Sequence, residues 1–291
     1  MTQTVNQAVL AELSETQATQ LKMLIERGIK IPPQPRVVEQ FRMQLARGEK
    51  DVRVLARTLT DDPGISGMLF KVVQSPAYRQ YQPFGSVEAI LQAIGLEQTR
   101  NLVDAIALGA AFPKRGGSTA FESYWARSRS VASLALLIAD ARRAECRVEP
   151  DQAYLAGVFH DCGVPVLMQR FPGYCEAMGL SNPARWADIE LEDRKFFADH
   201  AVVGYLVGRH WRLPDFVCSA IRFHHDLEGS GEAANVVAIL QYAVELYLRD
   251  QRTANPEWTG QCDSVLERLG LTIDDEECLA DDIQTAFDAL A

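Results

Sequence analysis

The sequence lacks both a long apolar segment and a pattern of paired cysteines. No apolar run approaches the roughly 20 residues needed to span a bilayer, and the N-terminus has neither the basic start nor the apolar stretch of a secretory signal. The six cysteines are widely spaced and form no C-x-x-C motif, which argues against a disulfide framework and a zinc knuckle. We therefore expect a cytoplasmic protein with reduced thiols and no membrane partner.

Basic residues are also scarce. The chain carries 29 lysines and arginines against 39 aspartates and glutamates, for a formal net charge of -10. Broad binding to nucleic acids needs a basic surface, so we expect no nucleic-acid partner. Seven of the acids lie within residues 271–291, which contain no lysine or arginine, and the rest of the chain is close to neutral. The acidity is therefore largely a property of the C-terminal segment.

The pattern that remains is helical. Apolar residues recur at intervals of three and four along most of the chain, and no stretch alternates with period two between turn signals. We expect an all-α protein with two helical lobes, and we place their boundary at Gly116-Gly117-Ser118. The expected organisation is an N-terminal helix over 1–28, a helical lobe over 29–115, a second lobe over 119–250 and an acidic helical extension over 251–291.

One segment of the second lobe, residues 155–164, has an apolar helical pattern that runs into the adjacent pair His160-Asp161. Gly163 is expected to take the left-handed conformation that ends a helix, with Pro165 in the first turn of the next helix. The pair would then lie at the buried end of an apolar helix, where polar side chains need partners. A local hydrogen bond would satisfy them, and so would a metal ion.

All five histidines lie in the second half of the chain, at positions 160, 200, 210, 224 and 225. Neutral imidazole and carboxylate suit first-row divalent metals, and an adjacent His-Asp pair offers one nitrogen and one potentially bridging carboxylate. His210 is expected to cap and pack a helix end. Cys162 is expected to be a buried structural thiol rather than a nucleophile, because its surroundings are apolar.

Six short blocks follow one another along residues 28–250. They are Ile31-Pro32-Pro33-Gln34-Pro35, Asp61-Asp62-Pro63-Gly64-Ile65-Ser66, Gln74-Ser75-Pro76-Ala77-Tyr78, Ser86-Val87-Glu88-Ala89-Ile90 with Ile94-Gly95-Leu96-Glu97, Leu155-Ala156-Gly157-Val158-Phe159-His160-Asp161, and Ala220-Ile221-Arg222-Phe223-His224-His225. Together they resemble the HDOD domain, a branch of the HD superfamily of helical phosphohydrolases. The resemblance implies that the second lobe is an HD-like helical bundle.

The HD superfamily holds metal with a His, a His-Asp pair, further His residues and a last Asp. The resemblance implies that His160 and Asp161 are the central pair and that His200 is the next ligand. It assigns the following ligand to His224 or His225, and both remain candidates.

Two positions depart from this ligand set, since Arg127 stands where the first His is expected and Val244 lies in the segment expected to supply the last Asp. These departures weaken charge compensation for a dication, and Arg127 would be a better partner for Asp161 than for a metal. Three possibilities stay open: a satisfied polar cluster of Arg127, Asp161 and the histidines, a surviving single-metal site, or a working hydrolytic centre. The Gly-Tyr-Pro signature of relatives that cleave cyclic dinucleotides is absent after the His-His segment.

The resemblance implies a bacterial signal-transduction module with a degenerate HD metal site, which is non-catalytic and acts by binding a signalling protein or a nucleotide. We assign no catalytic residue. We expect no cofactor, unless the residual site binds a divalent metal (Fe, Mn, Zn, Ni or Mg). One alternative is a metal-dependent phosphohydrolase acting on a nucleotide, with His160, Asp161, His200 and His224 as the ligands. Another is a ligand-free scaffold that docks through its acidic C-terminal helix.

Overall fold

The computed structural model describes residue 26, residues 28–74, residue 78 and residues 84–111, 119–182 and 184–290. Within these ranges the secondary structure is helical and contains no strand, which confirms the all-α prediction. The predicted boundary at 116–118 and all but the end of the predicted helix over 1–28 lie outside the described residues. No helix in the described ranges has both the length and the apolar character needed to cross a membrane.

The first lobe is built from short helices whose ends follow local capping rules. Asp62 accepts hydrogen bonds from the N–H groups of Gly64 and Ile65 at a helix start, because an Asp side chain satisfies the free donors there. Gly95 ends a helix with a φ of 91°. The helices are α1 (Arg36–Ala46), α2 (Val52–Thr60), α3 (Pro63–Val73), α4 (Val87–Ile94) and α5 (Leu96–Ala111).

The second lobe surrounds one helix that is buried almost all round, and this helix carries the His-Asp pair at its end. The described helices of this lobe are α6 (Thr119–Ala141), α7 (Arg143–Cys146), α8 (Pro150–Phe159), α9 (Gly163–Arg170), α10 (Tyr174–Ala177), α11 (Ile189–Phe196), α12 (His200–His210), α13 (Asp215–Phe223) and α14 (Ala234–Asp250), with a 3-10 turn at Glu228–Ala233 before α14.

The buried helix α8 packs against α6 of its own lobe and α5 of the first lobe, and one continuous apolar core joins the two lobes. Gly157 permits the contact with α6, because a Cβ at this position would lie 2.6 Å from the Cα of Ala132. A helix with apolar residues on every side belongs in the interior of a protein. The lobes are therefore joined through α8 rather than connected by a linker alone.

The turn after the His-Asp pair differs from the prediction. Gly163 does not adopt a positive φ; it is the first residue of α9, and Pro165 lies in the first turn of that helix as expected. A Cβ on Gly163 would lie 2.0 Å from the backbone oxygen of His200. The glycine is needed for the close approach of α9 and α12, not for a left-handed turn, and this approach brings His200 beside the pair.

The C-terminal extension packs on the second lobe. Its helices are α15 (Trp258–Leu269) and α16 (Ile273–Asp288). The helix α16 begins at Ile273, because Thr272 and Asp275 form a capping box there. Glu276 accepts hydrogen bonds from Tyr242 and Arg249 of α14. The acidic helix therefore docks on its own lobe.

Candidate metal centre

Three helix ends carry the candidate ligands to one place inside the second lobe. His160 follows the last residue of α8, and Asp161 comes next. His200 begins α12, where the Asp199 side chain caps the helix. His224 and His225 follow α13. Helix ends place side chains beyond the regular backbone ladder, so residues far apart in sequence can meet there.

The aspartate lies at the centre of this histidine cluster. Its Oδ1 is 3.4 Å from Nε2 of His200 and 3.3 Å from Nε2 of His224, and its Oδ2 is 3.5 Å from Nε2 of His160. Nε2 of His200 is also 3.0 Å from Nε2 of His225. Both members of the His-His pair thus point to the cluster, which resolves the choice that the sequence left open.

Each of the four imidazoles is held through its other nitrogen. Nδ1 of His160 lies 2.6 Å from the backbone oxygen of Gly157, and Nδ1 of His224 lies 2.7 Å from that of Ile221. A backbone oxygen can only accept, so Nδ1 carries the proton and Nε2 is left as a free lone pair when the ring is neutral. His200 and His225 have carboxylates in this position instead.

Those carboxylates are Glu192 and Glu257, which the sequence reasoning did not single out. Oε2 of Glu192 lies 2.7 Å from Nδ1 of His200 and accepts the backbone N–H of the same residue at 2.8 Å. Glu192 is fully buried and also accepts a hydrogen bond from Tyr174. Oε2 of Glu257 lies 2.8 Å from Nδ1 of His225. Neither glutamate belongs to a recognisable motif, so no sequence signal marked them.

Burial and charge act against each other in this cluster. Burial favours the neutral form of Asp161, but His160, His224 and His200 outweigh it and hold the pKa of that carboxyl well below its usual range. Burial also opposes a charged His200, yet Glu192 and Asp161 raise its pKa to about 9. Burial lowers the pKa of His160 and, together with His225, that of His224. Without a metal, the cluster therefore contains a charged Asp161, an imidazolium at His200, and neutral imidazoles at His160 and His224.

Arg127 occupies a different position from the one we expected. It forms no ion pair with Asp161 in the part of the chain that the structure describes; its guanidinium lies 4.2 Å from the ring centre of Trp186 and donates to the backbone oxygen of Arg185 at 3.1 Å. Stacking on an aromatic face satisfies a buried guanidinium without a carboxylate. The predicted polar pairing of Arg127 with Asp161 is therefore wrong, and the aspartate keeps only histidine partners.

A cavity of about 550 Å³ opens beside the cluster. His160, Asp161, His224 and His225 line one end, and Val244 lies in its wall where the resemblance placed a last aspartate. Residues 184–190, which lead into and begin α11, also line the cavity, as do residues 253–258 and Gln261 of the C-terminal extension. The candidate ligands thus face a space large enough for a small molecule.

The donor set fits a divalent ion. One ligand atom from each of Asp161, His200, His224 and His225 lies within 4.8 Å of all the others. Nε2 of His160 is buried without a hydrogen-bond partner although it faces the same aspartate. Ligating histidines characteristically donate their second ring N–H to a carboxylate or backbone oxygen, as all four do here. Nitrogen-rich sets of this kind suit Zn, Fe or Ni better than Mg.

Cys162 takes no part in this chemistry. Its side chain is completely buried, and burial followed by the charge of Asp161 raises the pKa of the thiol well above its usual value. The thiol lies 3.5 Å from the backbone oxygen of Gly204. A thiol that resists ionisation is a poor nucleophile, which agrees with the structural role predicted for it.

The HDOD domain matches residues 31–227, about two thirds of the chain. The chain belongs to the HDOD domain family. The matched region ends at residue 227, shortly after His225. Glu257, which anchors His225, therefore lies in the C-terminal extension, outside the matched HDOD region.

Known proteins of similar sequence or structure are distant. An uncharacterized protein of Treponema pallidum (strain Nichols) is 22% identical over 224 residues, which cover 75% of this chain and 42% of that protein. A proposed metal-dependent phosphohydrolase from Shewanella amazonensis SB2B superposes with a TM-score of 0.71 at 18% identity, over 98% of this chain and all of the other. A proposed signal transduction protein from Marinobacter aquaeolei VT8 gives 0.61 at 20% identity, over 99% of this chain and 66% of that one. These likenesses show the shared helical fold.

Proposed function

We propose that this HDOD protein is a signal-transduction module that binds one divalent metal ion through the histidine cluster and receives a small ligand in the adjacent cavity, without catalysing its turnover. The observation that carries the proposal is the common orientation of the four imidazoles. Each ring is anchored through Nδ1 and directs Nε2 toward Asp161. A merely structural polar cluster has no need for four imidazoles that direct the same ring nitrogen, Nε2, to one place.

The composition of the cluster favours one ion rather than two. Two-metal hydrolytic centres hold their ions with bridging carboxylates, and Asp161 is the only carboxylate among the inward-facing groups of the described cluster. Val244 and Arg127 stand where the family pattern would add a carboxylate and an imidazole. When bound, the metal supplies Lewis acidity beside the cavity, while His160, His200, His224 and His225 fix its position.

The cavity favours binding over phosphoryl chemistry. Among the described lining residues, Arg185 carries the only guanidinium and no lysine is present. Enzymes that transfer or hydrolyse phosphoryl groups hold the charged oxygens with several Arg, Lys or metal contacts. This wall offers too few such contacts to stabilise the charge that develops during hydrolysis.

Metal content of protein purified without chelators or an affinity tag tests the proposal. We expect close to one equivalent of Fe, Mn, Zn or Ni per chain by elemental mass spectrometry, and its loss in the His200→Ala variant. His210→Ala is the matched control, because His210 lies at the other end of the same helix and outside the cluster. Folded protein that contains no metal and takes up none on dialysis would refute the metal site.

A metal-dependent phosphohydrolase remains the second candidate, and the nitrogen-rich donor set is the observation in its favour. Bis-p-nitrophenyl phosphate and nucleoside triphosphates, offered to protein loaded with Mn, Fe or Zn, distinguish the two. We expect no turnover above that of the free metal. Turnover that disappears in His200→Ala and persists in His210→Ala would overturn the non-catalytic assignment while leaving the metal site intact.

A further inference from the structure

Two glutamines beside the cavity make the same unusual arrangement. Nε2 of Gln241 donates to the backbone oxygen of His224 at 2.9 Å, and Nε2 of Gln261 donates to that of His225 at 3.1 Å. Because a backbone oxygen can only accept, the amide nitrogen must face it in both residues. The side-chain oxygen of each glutamine therefore points away from that backbone oxygen. Both glutamines line the cavity.

Neither glutamine oxygen has a partner. Oε1 of Gln241 and Oε1 of Gln261 are buried without a hydrogen bond, and the same is true of the Nε1 donor of Trp186. Gln241 is itself only 9% exposed. Buried polar atoms are normally satisfied, and three orphans around one cavity are typical of a site whose partner is a ligand. Since His224 and His225 are adjacent, the two amide groups are held at the same end of the cavity.

The charge of the lining points to the same kind of ligand. Beside Asp161, the wall carries Asp188, Glu190 and Glu257 against the single guanidinium of Arg185. One bound dication would leave no excess of positive charge to receive a polyphosphate. The wall also contains the indoles of Trp186 and Trp258, which suit a planar apolar or cationic group.

Building on the proposed function, we propose that the cavity binds a planar heterocycle that presents two N–H donors on one edge, uncharged or cationic, and that it discriminates against polyphosphates. The donors pair with Oε1 of Gln241 and Gln261, and an acceptor on the ring pairs with Nε1 of Trp186. A guanine base has this combination of two donors and one acceptor along one edge. The glutamines are thus the specificity-determining residues of the site.

Calorimetric titrations with guanosine, inosine and GTP test this inference, each in metal-loaded protein and in protein stripped with EDTA. We expect guanosine to bind with a Kd below about 1 mM. We expect inosine, which lacks the exocyclic amine, and GTP, which adds three phosphates, to bind at least about ten-fold more weakly. The stripped protein should keep the order of the three ligands, because the glutamines do not depend on the metal.

The Gln261→Met variant removes one acceptor at constant side-chain length, and Gln251→Met, at an exposed position away from the cavity, is its control. We expect Gln261→Met to remove the preference for guanosine over inosine and Gln251→Met to keep it. Binding of GTP as tight as that of guanosine, or no guanosine binding below about 1 mM, would overturn the inference. Either result could coexist with one equivalent of bound metal, so the failure would not be confused with failure of the metal site.

Discussion

Two buried aspartates, one in each lobe, have pKa values shifted in opposite directions, for reasons that the structure makes plain. Asp161 has three histidines within 3.5 Å, and its pKa lies well below the usual range. Asp104 of the first lobe is equally buried but has one ion-pair partner, Arg42 at 3.5 Å, and its oxygens accept no hydrogen bond in the described structure. Burial therefore dominates and raises its pKa to about 6, with Arg42 only partly opposing the shift.

The difference shows that depth of burial alone does not decide the direction in which the pKa of a carboxylate moves. Desolvation raises the pKa at both positions. The number of positively polarised or charged side chains around the carboxylate then decides whether the net shift is upward or downward. Arg42 forms an ion pair with Asp104 but donates its hydrogen bonds to the backbone oxygens of Trp211 and Arg212 in the other lobe. It therefore serves mainly to join the lobes, whereas the histidines around Asp161 converge on a single carboxylate.

Replacing each aspartate by asparagine should give the largest difference between the two sites, both in the free energy of unfolding and in metal affinity. Asp161→Asn removes the central negative charge and leaves a buried imidazolium with Glu192 alone, so we expect a loss of about 3–5 kcal/mol in the free energy of unfolding. Metal affinity should fall by more than the roughly 10–100-fold typical of an outer-shell change. Denaturant unfolding and elemental analysis measure both effects.

Asp104→Asn is the matched comparison for Asp161→Asn. It replaces a carboxylate that has few partners and should leave the metal content unchanged. Equal losses of metal in the two variants would contradict the distinction between the two sites.

The second-largest expected effect is on the pH dependence of the free energy of unfolding, which should reveal the raised pKa of Asp104. The pKa of Asp104 is raised on folding from 3.8 to about 6, so the folded state binds the proton more tightly than the unfolded state. Its contribution is fully present below pH 3.8 and is lost as the pH rises through 6. Relative to Asp104→Asn, we expect the wild type to lose at most about 3 kcal/mol across this interval. Urea unfolding at pH 4, 5, 6 and 7 measures the difference, and parallel pH profiles for the two proteins would disprove the raised pKa.

Glu192 and Glu257, the two carboxylates that orient histidines, should differ in how much they contribute to metal affinity. Glu192 is fully buried, whereas the side chain of Glu257 is 53% exposed. Glu192→Gln weakens the hold on His200 in a dry environment, so we expect a loss of metal affinity of about 10–100-fold. Glu257→Gln should cost only a few-fold, because water screens an exposed pair. Competition with a chromogenic chelator gives both affinities, and a larger effect at Glu257 would place the ion nearer to His225 than to His200.

Local signals predicted the helices, and the family resemblance predicted the principal candidate ligands. The cap at Asp62 with Pro63 and the stop at Gly95 are decided within a few residues, so they could be predicted from the sequence. His160, Asp161 and His200 were predicted because residue type and order resemble a family pattern. The prediction for Gly163 was wrong because glycine allows both a left-handed turn and a close helix contact, and only the position of α12 shows which one applies.

The sequence by itself determined that the chain is helical, that its acidity lies at the C-terminus, and that histidines and an aspartate are available as ligands. The tertiary structure alone decided how they are used. It placed Arg127 on Trp186, turned both His224 and His225 toward the cluster, and supplied Glu192 and Glu257 as the anchors of His200 and His225. The physical reason is that hydrogen bonds and ion pairs depend on distances of a few ångströms between residues far apart in sequence, and packing sets those distances.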